Sequence, residues 1–134
     1  MSLRAQCACK NVSIELASDP VRCLFCHCDY CQRMTGSVGN AIAVFREDDV
    51  VCMSDAFELD PEMEQWPGVK KYCCPKCYST VHWVNPKAFP GMRLVSLGCL
   101  DKPSDFKLGN TVQNQHRPTW CPPLDADESY EAYP

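Results

Sequence analysis

Twelve cysteines in a chain of 134 residues are the first chemistry the sequence offers, and most of them stand close together. Cys7-Ala8-Cys9, Cys26-His27-Cys28-Asp29-Tyr30-Cys31 and Cys74-Pro75-Lys76-Cys77 place seven thiols in tight pairs or triples. A Cys-x-x-Cys turn sets two sulfurs on one side of an ion, and a second such segment completes the tetrahedron that zinc prefers. Residues 1–6 lack the apolar run of a secretory signal, so a cytoplasmic location is expected. In that reducing compartment closely spaced cysteines are metal ligands or catalytic thiols, not disulfides. Cys23, Cys52, Cys99 and Cys121 stand apart from the clusters and read as small buried apolar residues, and Cys73 reads as packing.

Seven sulfurs do not divide into two four-cysteine sites. Cys28 and Cys31 with Cys74 and Cys77 make an ordinary zinc ribbon, which leaves Cys7, Cys9 and Cys26 over. Joining Cys7 and Cys9 to Cys74 and Cys77 instead gives a closed structural site. It leaves Cys26, Cys28 and Cys31 as a three-thiolate site with an exchangeable position, the arrangement of catalytic zinc. Spacing alone does not choose between the two.

The elements that must hold these thiols are short and β-leaning. Residues 11–16 alternate, with Val12, Ile14 and Leu16 on one face and Ser13 and Glu15 on the other, as in a half-buried strand. Similar runs occur at 42–45, 50–53, 81–84 and 94–97, bounded by Asp19-Pro20, Asn85-Pro86 and Pro90-Gly91. Eleven prolines punctuate the chain, too many for long helices, so helix is expected only as single turns at 28–35 and 60–65. The length suits one domain, placed at 1–124. The acidic end segment, 125–134, has no aliphatic anchor and reads as a flexible, solvated tail. Residues 58–71 form a Pro- and Glu-rich loop that carries Trp66.

Hydrophobic residues make up 46% and charged residues 22%, which fits a folded globular chain and excludes wholesale disorder. The net charge is −4, and no basic cluster is longer than Lys70-Lys71, so a phosphate-backbone footprint is missing and nucleic acid is not an expected partner. The longest run of non-glycine apolar residues, 41–45, is far short of a membrane span.

The residues then become recognisable as a set. Cys-x-Cys, Cys-His-Cys-x-x-Cys-x-Arg-x-Thr-Gly from Cys26 to Gly36, and Cys-x-x-Cys are followed by Gly98-Cys99-Leu100-Asp101-Lys102-Pro103 and by His116-Arg117-Pro118-x-Trp120. This order resembles the glutathione-dependent formaldehyde-activating enzyme family from Cys7 to about Trp120. The resemblance implies a mainly β fold, a β-tent of small antiparallel sheets with short helical turns, built around zinc sites. It also implies a structural zinc on Cys7, Cys9, Cys74 and Cys77 and a catalytic zinc on Cys26, Cys28 and Cys31. The chain departs from the family at Lys10 and Tyr78, where glycine usually relaxes the turns that aim N–H groups at the thiolates.

The activity so implied is that of a carbon–sulfur lyase acting on a thiol–aldehyde adduct, with glutathione and formaldehyde giving S-(hydroxymethyl)glutathione. A thiol entering an open zinc position is deprotonated, and an aldehyde oxygen there is polarised. His27 is a candidate proton shuttle, its unperturbed pKa of about 6.5 lying near neutrality; by alternation with Cys26 and Cys28 it can equally turn to solvent. Arg33 is a candidate for pairing with a glutathione carboxylate, or else an ordinary surface ion pair. His82 beside Trp83 and His116 near Trp120 read as packed aromatics. The rival class is a non-catalytic zinc module, its second metal closed by His27, Cys23, Cys73 or a partner chain, in which both metals supply folding free energy.

Overall fold

The alternation at residues 13–16 is realised as a strand whose Ile14 and Leu16 are fully buried while Ser13 and Glu15 are partly exposed. The computed structural model describes residues 3–134. In chain order its elements are β1 (Leu3–Gln6), β2 (Ser13–Leu16), β3 (Arg22–Cys26), α1 (Asp29–Thr35), β4 (Asn40–Arg46), β5 (Val50–Met53) and β6 (Phe57–Leu59). They continue with β7 (Lys70–Cys73), β8 (Thr80–Val84), β9 (Met92–Ser96), β10 (Leu108–Val112) and β11 (Ala126–Ser129). The protein is mainly β, as expected, and no helix among the described residues is long and apolar enough to cross a membrane.

The chain divides into two compact units, each made of two stretches of sequence. The first holds residues up to Val21 together with Ala43–Pro103. In it β1, β2 and β5 form an antiparallel sheet in that order, with Ala5 opposite Ile14 and Ile14 opposite Met53. Strands β6 to β9 form an antiparallel meander, with Tyr72 opposite His82 and His82 opposite Val95. Val12, Ile14, Leu16, Phe45, Val81, Leu94 and Val95 fill its core. Each such side chain contributes on the order of 1.5–3 kcal/mol by leaving water.

The second unit holds Arg22–Ile42 and Ser104–Pro134. Here β10 lies between β3 and β11 and pairs with both in parallel, a departure from purely antiparallel sheets. The segment 125–134, which has no hydrophobic pattern of its own, is drawn into this ladder: β11 sets Glu128 opposite Asn110 and Ser129 opposite Thr111. The segment stays mostly exposed, as its charge implies, but residues 126–129 pair as a strand, because backbone hydrogen bonds to β10 replace the missing side-chain anchors. Helix α1 forms where expected. Cys28 caps its N-terminus, Asp29 and Arg33 suit the two ends of the helix dipole, and Gly36 closes it in the left-handed conformation (φ 67°). The helix expected at 60–65 does not form; Pro61 lies there, and Glu62 takes a positive φ of 51° that no helix accepts.

Candidate metal centres

Each unit brings one group of sulfurs together. In the first, Cys7 and Cys9 lie on the turn after β1, and Cys74 and Cys77 on the turn between β7 and β8. All four Sγ atoms lie within 4.8 Å of one another. The Cys7–Cys9 and Cys9–Cys74 sulfur separations are both 3.7 Å. Four sulfurs at about 2.3 Å from zinc form a tetrahedron with edges of about 3.8 Å, so the donor set fits that ion.

Backbone N–H groups are aimed at these sulfurs, as metal-bound thiolates require. The Val12 N–H donates to Cys7 Sγ at 3.2 Å, and those of Lys76 and Cys77 donate to Cys74 Sγ at 3.3 and 3.5 Å. The Ser79 hydroxyl lies 3.2 Å from Cys77 Sγ and, with the Ser79 backbone, draws that thiol down to about 5. Lys10 and Tyr78, the two positions without the family's glycine, adopt positive φ of 65° and 62° all the same. The turns therefore keep the glycine geometry and its hydrogen bonds, and two side-chain-bearing residues carry the conformational cost.

In the second unit Cys26 ends β3, Cys28 caps α1 and Cys31 sits in the first turn of that helix. Their three sulfurs also lie within 4.8 Å of one another, with Cys26 and Cys31 buried and Cys28 half-buried. The Cys31 N–H donates to Cys28 Sγ at 3.2 Å. Hydrogen bonds from the Cys26 and Cys31 thiols hold Cys28 far down, to about 2, with the Cys31 and Tyr30 backbone N–H groups adding to them. Cys26 is in turn pushed up to about 11, first by Cys28, and Cys31 is pushed up by Cys26 and then Cys28. Three thiols thus share their protons as one cluster, which a cation discharges.

The scaffold under this group is stiff. Cys26 stands opposite Val112 in the β3–β10 ladder, and the His27 N–H donates to Val112 O at 3.1 Å. Gln32 Nε2 donates to the carbonyls of His27 and His116 at 2.7 and 2.8 Å. The Thr35 hydroxyl donates to Cys31 O at 3.0 Å and to Gly39 O at 2.8 Å, alternatives that tie helix to loop. Gly39 passes so close to β3 that a Cβ there would lie 2.3 Å from the Cys26 carbonyl oxygen.

All seven sequence-predicted ligands fall into these two groups, in the four-plus-three partition. His27 neither faces solvent nor joins the sulfurs: it is fully buried, its Nδ1 donates to Val38 O at 2.7 Å, and Nε2 has no partner. Arg33 is an exposed ion pair, its Nε 3.2 and 3.1 Å from the Asp29 carboxylate oxygens. His82 and Trp83 are packed as expected, whereas His116 and Trp120 are exposed. Cys23 and Cys121 are buried as expected, but Cys99 is half-buried and Cys52 exposed, because β5 turns Cys52 out opposite Glu15.

Two features escape the sequence. Arg93, buried on β9, meets the Glu47 carboxylate through both Nε (2.8 Å) and Nη2, lies over the Tyr72 ring, and donates from Nη1 to His82 Nδ1 at 3.3 Å. Burial first and the Arg93 charge second push His82 down to about 4. The other is Tyr133, pushed up to about 12 by burial and then by Cys26, Cys28 and Cys31. No local motif marks either, since each involves residues far apart in the sequence.

No curated protein matches the chain by sequence. Among solved structures, a Rhodobacter sphaeroides protein is similar in fold, with a TM-score of 0.55 at 19% identity, over 73% of this chain and 87% of that one. Both sulfur groups can hold a metal ion, and all seven of their cysteines lie within residues 2–116. Those residues match the model of the glutathione-dependent formaldehyde-activating enzyme, and the chain belongs to that family.

Proposed function

We propose that the chain is a carbon–sulfur lyase that makes and breaks a thiol–aldehyde adduct, with glutathione and formaldehyde as its thiol and aldehyde. Cys7, Cys9, Cys74 and Cys77 would hold a structural zinc, and Cys26, Cys28 and Cys31 a catalytic one. The observation that carries this reading is the inequality of the two groups: one has four donors, the other stops at three among the described residues. His27, a candidate for the fourth donor, is buried, but neither of its ring nitrogens joins the group of three sulfurs. Zinc bound by three thiolates supplies a position where an incoming thiol is a thiolate at neutral pH, instead of mostly protonated with a pKa of about 8.5.

The chain's own residues bind and orient. Cys26 and Cys31 are buried and fixed by β3 and α1, so the half-buried Cys28 marks the open side. Buried His27 would brace the loop at Val38, which suits it to positioning the sulfurs more than to passing protons to water. Arg33 would reach a substrate carboxylate only by exchanging it for Asp29, an inexpensive trade for a pair this exposed.

The test is NMR exchange between formaldehyde and glutathione at catalytic protein concentration, with Cys28→Ala as control. Acceleration over the spontaneous reaction, lost in the variant, is the expected result. No acceleration with both metals confirmed present would refute the proposal and leave a module in which both metals are structural.

A further inference from the structure

The three-cysteine group is short of donors, and its surroundings narrow the ligand that three sulfurs by themselves can satisfy. Cys26, Cys28 and Cys31 hold their Sγ atoms within 4.8 Å of one another, and among the described residues no fourth ligand atom joins them. Cys23 and Cys121, thiols of the same unit, are buried outside the group. Asp29, the acid within the segment, is engaged by Arg33 Nε at 3.2 and 3.1 Å. Each of the three sulfurs is anchored through backbone: Cys26 by the β3–β10 ladder, Cys28 as the cap of α1, and Cys31 in its first turn, where its N–H donates to Cys28 Sγ at 3.2 Å.

Charge narrows the choice further. Three thiolates around a divalent ion leave a net negative charge where Cys26 and Cys31 are buried, and a buried charge is costly unless paired. The basic side chain of α1, Arg33, is exposed and held by Asp29. A trivalent centre bonded to three thiolates is neutral and needs no counter-charge. Trivalent arsenic is such a centre: it is soft, prefers sulfur, forms three bonds and carries a lone pair where a fourth donor would stand. The four-cysteine group is the poorer host, because arsenic on three of its sulfurs strands the fourth and breaks up a tetrahedron suited to zinc.

We propose that Cys26, Cys28 and Cys31 form a binding site for trivalent arsenic, entered as arsenous acid and closed by three arsenic–sulfur bonds. The step is a condensation. Each thiol gives its proton to one hydroxyl of arsenous acid, water leaves, and an arsenic–sulfur bond replaces an arsenic–oxygen bond. Three waters form, and nothing is oxidised or reduced. Where zinc occupies the sulfurs it departs as the divalent ion, and the three protons come from solvent. The half-buried Cys28 is the sulfur that arsenic meets first. The second and third bonds are then intramolecular, which favours this site over three separate thiols. The proposal rests on the three-donor site of the lyase reading above, but needs its sulfurs only and not its activity.

In the experiment the zinc-loaded protein is titrated with sodium arsenite without added thiol. Released zinc is followed with a chromophoric chelator, bound arsenic by elemental analysis after gel filtration, and the neighbours of both elements by X-ray absorption. One arsenic per chain with three sulfur neighbours is expected, while the zinc that stays bound keeps four. Losing a mere supporting partner of a ligand costs about 10–100-fold in metal affinity, so Cys28→Ala should bind arsenite at least about tenfold more weakly. Cys31→Ser should do the same, and zinc retained on four sulfurs certifies the fold of each variant. Cys52→Ser, which removes an exposed thiol outside both groups, should match wild type. No bound arsenic, arsenic with two sulfur neighbours, or zinc displaced from the four-cysteine group overturns the proposal. So does wild-type affinity in Cys28→Ala or Cys31→Ser. Arsenic bound as expected by a chain that does not accelerate formaldehyde–glutathione exchange removes the lyase reading and supports this one; exchange without arsenic binding overturns this one and spares the lyase reading.

Discussion

Adding one methyl group at Gly39 should empty the three-cysteine group and spare the other. An ideal Cβ at Gly39 would sit 2.3 Å from the Cys26 carbonyl oxygen and 2.4 Å from Phe25 Cε1. Ordinary contact begins at about 3.4 Å, so the loop and the end of β3 must part by roughly 1 Å. Zinc–sulfur distances tolerate only about 0.2 Å, and Cys26 cannot follow the shift without leaving Cys28 and Cys31 behind. Gly36→Ala is the matched control. Gly36 has φ 67°, but a methyl there would meet nothing within 4 Å, so that change costs only about 1–2 kcal/mol of left-handed strain and leaves the sulfurs in place. Metal content per chain after dialysis against a weak chelator, with cobalt–thiolate absorption as a second probe, reads the outcome. Wild type and Gly36→Ala should keep metal at both groups, and Gly39→Ala only at the four-cysteine group. A Gly39→Ala protein that holds both metals with wild-type resistance to chelator would refute the reasoning.

Lys10→Gly should stabilise the zinc-loaded protein by about 0.5–1 kcal/mol, the left-handed strain relieved less the added entropy of glycine; urea unfolding at fixed free zinc measures it. Tyr78→Gly should gain less, because it also gives up the edge contact with Phe57, ring centroids 6.4 Å apart. Buried His82 has its pKa depressed to about 4 from 6.5, so the unfolded chain binds the extra proton first. Its contribution is whole above about pH 6.5 and is lost as pH falls toward 4, by up to about 3 kcal/mol; wild type should lose this margin relative to His82→Phe over that window in pH-dependent unfolding. Glu47→Ala should cost about 2–3 kcal/mol by stranding the buried Arg93 guanidinium, and Glu47→Ala combined with Arg93→Met should cost less than the two single losses added together.

The two sulfur groups were legible because a thiolate metal site would fix residue type and spacing locally, and α1 because capping and turn signals surround it. The strands that position them were less so. Residues 13–16 and 50–53 show β-patterning, but Lys70-Lys71-Tyr72-Cys73 and Leu108-Gly109-Asn110-Thr111-Val112 have no clean alternation. They are strands because neighbours bond to them on both sides. The end segment is the sharpest case: 125–134 reads as solvated from its charge, and only the ladder with β10 shows that 126–129 pair as a strand. Arg93 and Glu47 are 46 residues apart, beyond any local pattern. The partition of seven cysteines was open on spacing alone and needed the family resemblance or the folded chain to choose it.

The two sulfur groups solve different problems, and their surroundings differ accordingly. The four-cysteine group is finished by turns: its thiolates take hydrogen bonds from the N–H groups of Val12, Lys76 and Cys77, and Cys9 can stand exposed. Four donors confer enough affinity that the backbone may bear strain at Lys10 and Tyr78 without losing the metal. A group of three donors has no such reserve, since each misplaced sulfur removes a third of its attachment. Its precision has to come from the scaffold. That is where the stiffest local features lie: a cap that is itself a ligand, a glycine pressed against β3, and a glutamine bonded to two carbonyls. Rigid support beneath a three-donor set would let an outside ligand come and go without the site collapsing, which is what the proposed exchange of a thiol demands.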